Sequence, residues 1–175
     1  MAEDSEKAVF EKIEKDRAEF SSVDLSGTVF EGDFSFSRYS AENPLCDIKF
    51  NRAEFMGEAD FRGVVFGGRA DFSGAVFHEN AYFDDAVFTG VAKFQSALFH
   101  KDVIFERARF KEKAHFFDVR FDGWSCFRSV EFCKELYISW GAFTGGGDFK
   151  DAKFMGRFIF KRRMEEGRPE GEPGK

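Results

Sequence analysis

From Leu45 to Phe160 the chain sets down one large apolar residue after another at almost constant spacing. The positions are Leu45, Phe50, Phe55, Phe61, Phe66, Phe72, Phe77, Phe83, Phe88, Phe94, Phe99, Phe105, Phe110, Phe116, Phe121, Phe127, Phe132, Ile138, Phe143, Phe149, Phe154 and Phe160. From Phe55 onward the nineteen intervals alternate six and five without a slip. Two residues before most of them stands a small or β-branched residue, such as Ala59, Val64, Ala70, Ala75, Ala81 and Ala86. The unit is therefore A-x-F-x-x-x-A-x-F-x-x. An eleven-residue period also suits a right-handed coiled coil. At about 100° per residue, however, the two Ala and two Phe of a unit ring the helix instead of forming a stripe. Gly63, Gly68, Gly74 and Gly90 would weaken such a helix further, by about 1 kcal/mol each. On a strand, residues i and i+2 share a face, so A-x-F aims both side chains inward. The residues between are rich in Gly, Asp, Asn and Ser, which is turn chemistry. The pattern predicts short strands joined by turns: a solenoid.

Segments such as Ala59-Asp60-Phe61-Arg62-Gly63 and Ala70-Asp71-Phe72-Ser73-Gly74 resemble the pentapeptide-repeat family, whose unit is A-(D/N)-(L/F)-x-x. The resemblance covers residues 20–160. It implies an all-β, right-handed quadrilateral β-helix in which four units make one square coil, here of about six coils. This chain departs from the family unit by one extra residue in every second repeat. A coil should therefore take 22 residues instead of 20, with longer, bulged corners on two of its four edges.

Composition fits one recurring interior slot: 27 Phe against 3 Tyr and 2 Trp, in 175 residues. Net charge is −6 with both signs interspersed, so the basic footprint of a nucleic-acid binder is absent. Three Cys (Cys46, Cys126, Cys133) without CxxC spacing, and no leader-like start, predict reduced thiols in a cytoplasmic protein. No apolar run approaches the roughly 20 residues that span a bilayer.

Three segments follow. Residues 1–19 form an N-terminal cap. Within it, residues 5–19 read as a helix with Ser5 as N-cap and a modest Ala8, Val9, Ile13 stripe, although Ala8-Val9-Phe10 also fits an extra coil. Residues 20–160 form the β-helix, starting at Phe20, Leu25, Phe30 and Phe36. An insertion at 37–44 is expected to be an outward loop carrying Tyr39. Phe158 and Phe160 are expected to close the last coil, with Lys161, Arg162 and Arg163 blunting its edge. Residues 161–175 read as a disordered charged tail.

With the interior filled by Phe, function belongs outside. Residues 22 apart should stack in adjacent coils. His78 and His100 meet that spacing and suggest a shared metal, yet Met56 and Asp122 continue the column, and a site wants three or four ligands. Two solvated histidines is the simpler reading. Cys126 and Cys133 read as free thiols on consecutive sides, and Asp84, Asp85, Asp118 and Asp122 as turn residues. No nucleophile motif or phosphate loop is present, so neither a catalytic site, a metal nor a cofactor is expected. Two outward sets stand out. Phe117 and Tyr137 flank central positions on one side, with Trp124 and Trp140 at corners bordering it, a set that either is exposed for a partner or packs on itself. The pairs Val65/Val87, Val76/Leu98 and Tyr82/Ile104 reflect either β-propensity or a self-association face. These features point to a non-catalytic scaffold for an unidentified protein partner or a homodimer. The family resemblance also implies an alternative, a DNA-mimicking inhibitor of a type II topoisomerase. Against it stand the lack of a strongly acidic stripe and a Gly/Pro-rich C-terminal tail where the resemblance implies a dimer-forming helix.

Overall fold

The structure, a computed structural model, describes residues 2–19, 22–139 and 143–161. Phe20, Trp140, Arg162, Arg163 and the tail to Lys175 lie outside the described residues. The chain winds as a parallel β-solenoid of about six coils with a single N-terminal helix. Its strands, mostly two residues long, stack into four sheets of seven, six, five and five strands. Side one holds Ala70–Asp71, Ala92–Lys93, Ala114–Phe116, Leu136–Ser139 and Phe158–Lys161. Side two holds Glu54–Phe55, Val76–Phe77, Leu98–Phe99 and Arg120–Phe121. Side three holds Ala59–Asp60, Ala81–Tyr82, Val103–Ile104, Ser125–Cys126 and Gly147–Asp148, and side four Val65–Phe66, Val87–Phe88, Arg109–Phe110, Glu131–Phe132 and Lys153–Phe154.

The register is the 22-residue coil: Ala59 pairs with Ala81, Ala81 with Val103, Val103 with Ser125 and Ser125 with Gly147. The five- and six-residue intervals make two kinds of corner. In the short one, the N–H three residues after the inward Phe donates back to its carbonyl, as from Ala75 to Phe72 at 3.0 Å and from Ala97 to Phe94 at 3.0 Å. The residue before that N–H takes a left-handed conformation, with φ of +69° at Gly74 and 55° at Ser96. The long corner is instead pressed against the coil beneath. A Cβ on Gly90 would stand 2.5 Å from the Gly68 carbonyl oxygen, so only glycine fits there. Corner carboxylates satisfy backbone N–H groups one coil on: Asp47 accepts from Arg69 at 2.7 Å and Asp102 from Trp124 at 2.8 Å.

Inside, each Phe stacks on the Phe one coil away: Phe61 to Phe83 at 4.8 Å, Phe83 to Phe105 at 4.7 Å, Phe88 to Phe110 at 4.6 Å. Rings from opposite sides meet edge to face, Phe72 on Phe83 at 90° and Phe94 on Phe105 at 90°. Both arrangements suit the aromatic quadrupole, and nothing in the rod's centre is left for a ligand.

The helix runs Ala2–Glu19, which decides between the helix and the extra coil. It starts ahead of Ser5, so Ser5 lies in its first turn instead of capping it. Phe10 and Ile13 are its buried residues, with Phe10 5.1 Å from Phe34 and 6.2 Å from Tyr39. The outward loop expected at 37–44 is not what forms. Tyr39 is fully buried and donates its hydroxyl hydrogen to Glu14 at 3.1 Å. Arg17 donates to Asn43 at 2.7 Å and to the Pro44 carbonyl at 3.1 Å, and Arg38 lies 3.6 Å over the Phe10 ring. A phenol that would be wasted in solvent instead joins the core, so the insertion is a bracket that clamps the helix over the first coil. At the other end Phe158 and Phe160 stand in the last described strand of side one, in register with Leu136 and Ile138, and there Phe154, Phe158 and Phe160 are exposed, as is Met155 at the corner beside them.

Candidate functional site

The rod's surface is built of columns, each repeating every coil. On side four, Arg109, Glu131 and Lys153 form an ion ladder, at 3.2 Å and 2.8 Å. At the neighbouring corner Arg107 grips Asp85 through two bonds of 2.8 Å. The Arg107 guanidinium holds the Asp85 carboxyl below its usual range, as Lys153 does for Glu131 and Arg128 for Asp148. Side one alternates sign lower down, with Asp24 beside Lys49 at 3.4 Å and Asp71 beside Lys93 at 3.5 Å. The corner column Asp33, Glu58, Asn80, Asp102 is more acidic, but Asp33 and Asp102 are engaged in accepting backbone N–H groups.

Of the aromatic residues singled out from sequence, Phe117 and Tyr137 come together on side one, their rings 5.5 Å apart. His115 joins them, stacked on Tyr137 at 4.6 Å and 6°. Burial first, then Lys93 and Lys113, lowers the pKa of His115 and favours the neutral imidazole. Trp124 does not border this side: the whole of side two intervenes, and it stands at the corner between sides two and three. There it lies against Gly146, whose φ of +91° admits a glycine, and it is 45% exposed. Trp140 falls outside the described residues.

His78 and His100 do approach, with ring centroids 5.5 Å apart. Each has its own acid: His78 faces Glu54 at 3.7 Å, and His100 faces Asp122 at 3.2 Å, where Arg120 also binds at 2.9 Å. Among the described residues no group of three or more His, Cys, Asp or Glu is placed to hold a metal. Cys126 is buried, and Cys46 and Cys133 are half-buried free thiols. The aliphatic pairs stack in register, Val65 with Val87, Val76 with Leu98 and Tyr82 with Ile104. They lie on sides four, two and three, so they make no common face, and β-propensity accounts for them. What sequence reasoning missed is the exposed end. Phe158 occupies the position that Ala70, Ala92, Ala114 and the buried Leu136 hold on side one, but no described coil lies beyond it to cover the ring.

The family model described as pentapeptide repeats (9 copies) matches residues 50–98 and 83–131, in register with these coils. The chain is a pentapeptide-repeat protein. The two matches overlap and together run from 50 to 131, a little under half of the chain, while the strand register extends the same architecture to Lys161. No curated protein and no solved structure matches this pentapeptide-repeat protein. None of its described helices is long and apolar enough to cross a membrane.

Proposed function

We propose that this pentapeptide-repeat protein is a non-catalytic scaffold that binds a protein partner, or a second copy of itself, through its outer surface. One observation carries the reading: bulky apolar side chains are exposed at a few places on a rod otherwise covered by paired charges. Among the described residues Trp124 is the large aromatic exposed on the flank, and Phe154, Met155, Phe158 and Phe160 are exposed toward one end. Exposed Trp and Phe are costly in water and are typical anchors of interfaces. Phe117 and Tyr137 on side one and Trp124 at its corner are the flank residues this reading assigns to partner binding, and Trp140, also expected from the sequence to take part, lies outside the described residues. The interior, filled by stacked rings, offers no concave site of the kind that holds a small substrate.

The test is capture from the native cell with wild-type protein and with Trp124→Ser. The expected result is a discrete partner that the wild type retains and Trp124→Ser loses, with the circular dichroism of the two proteins identical. Equal capture by both would remove the flank from the proposal.

A further inference from the structure

Resting on the scaffold reading, we infer that His78 and His100 are half of a zinc site, completed by the same two residues of a second copy, and that the ion joins two rods face to face and antiparallel through side two. The pair has the geometry of a half-site. Its ring centroids stand 5.5 Å apart. Two imidazoles bonded to one zinc at about 2.0–2.1 Å, at the tetrahedral angle, have centroids about 5.2 Å apart. Both rings are open to solvent, with side chains 35% and 37% exposed. Each also has its own carboxylate: Asp122 lies 3.2 Å from Nδ1 of His100, and Glu54 lies 3.7 Å from Nε2 of His78. A carboxylate only accepts, so it draws the ring hydrogen to the nitrogen it faces. That leaves the lone pairs of His100 Nε2 and His78 Nδ1 for a metal, with the acids as its outer shell. Imidazole nitrogens in a tetrahedral set suit zinc.

One chain supplies two ligands, and a closed zinc site takes four. Among the described residues no group of three His, Cys, Asp or Glu is placed to hold a metal, so the other ligands come from outside the chain. The surroundings of the pair say from where. The outward strand residues of side two are, coil by coil, Glu54, Val76, Leu98 and Arg120, paired in register. Acid, apolar, apolar, base is an order that complements itself when reversed. A two-fold axis along the strand direction, between Val76–Phe77 and Leu98–Phe99, sets Glu54 against the partner's Arg120 and Val76 against the partner's Leu98. The same axis sets His78 against the partner's His100, so four imidazoles meet at one point. Parallel rods would instead set Glu54 on the partner's Glu54 and Arg120 on the partner's Arg120, which repel. Side two also carries Val29 and Met56, 46% and 40% exposed, which extend the apolar part of this face. Glu54 and Asp122 of each copy place four carboxylates around the ion and offset its charge.

Sedimentation equilibrium of the full chain at about 50 μM, in EDTA and with added Zn²⁺, tests this. The expected result is a monomer in EDTA and a dimer with zinc, complete at one ion per two chains. His78→Ala/His100→Ala should stay monomeric with zinc. Arg120→Glu, which sets an acid against the partner's Glu54, should weaken the zinc dimer at least tenfold. A chain that stays monomeric with zinc overturns the inference, as does a dimer that forms equally in EDTA or a zinc dimer unchanged in either folded variant. If the variants do not fold, Co²⁺ added to the wild type decides. The intense visible spectrum of a tetrahedral nitrogen set, complete at half an equivalent, supports the site, and the weak spectrum of an octahedral ion overturns it. None of these substitutions touches Trp124, so partner capture through the flank can survive the failure of this inference.

Discussion

Phe94 stacks at 4.9 Å on Phe72 in one neighbouring coil and at 4.9 Å on Phe116 in the other, and it meets Phe83 and Phe105 edge on. Removing such a ring leaves a cavity in a tube whose walls are hydrogen-bonded coils and cannot collapse inward. Phe94→Ala should cost about 3–5 kcal/mol, read as a fall in the urea midpoint. Asp84 presents the opposite case. One of its carboxylate oxygens is buried without a hydrogen-bond partner, and burial, with Glu106 adding to it, raises its pKa. A raised carboxylate pKa means that the ionised form destabilises the fold above the unfolded value of about 3.9, and that this cost disappears on acidification. Asp84→Asn should therefore raise the melting temperature at pH 7 by about 1–3 °C and change nothing below about pH 3.5, as calorimetry can show. At this scale the ladder was legible because one slot recurs some twenty times, whereas Tyr39 and Trp124 occur once each and their surroundings depend on which coil edge or corner they meet.

The two corner types were also readable, since the alternation of five and six demands them, but the chemistry of each corner needed the stacked neighbour. Gly90 is an ordinary turn glycine in one dimension and a point of contact with the Gly68 backbone in three. Gly90→Ala should cost about 1–3 kcal/mol, because neither backbone can move without breaking the ladder on both sides. The insertion at 37–44 misled for a related reason. Its polar residues suit a loop, and only the helix above reveals that Tyr39, Asn43 and Pro44 are receptors for Glu14 and Arg17. Tyr39→Phe keeps the ring and loses the bond to Glu14. Its expected effect is a loss of about 1–2 kcal/mol and faster proteolysis within residues 2–19, with the Phe ladder intact.

Over the molecule as a whole, most of the described carboxyls with shifted pKa are depressed. Asp60 is held low chiefly by Arg62, Asp85 by Arg107 and Asp24 by Ser26. A depressed carboxylate contributes stability above its unfolded pKa and loses it as pH falls through the folded value. The melting temperature should thus hold between pH 5 and 8 and fall below about pH 4, with salt shrinking the difference because these pairs are exposed. That the charged skin could be folded into columns at all came from the 22-residue period. Which columns leave apolar residues uncovered did not, because that depends on where stacking stops.

The helix clamped over the first coil also gives the rod a direction. Each coil touches only the coils beside it, so stability is a chain of nearest-neighbour terms and loss of structure advances as a front, one coil at a time. Such a front cannot easily enter where Phe10, Ile13 and the Tyr39 bracket must be lifted first. It enters at the far end and unzips toward the N-terminus. In a rod of nearly identical coils, the order of unravelling is then set by the helix and its bracket, which are the parts of the described chain that do not repeat.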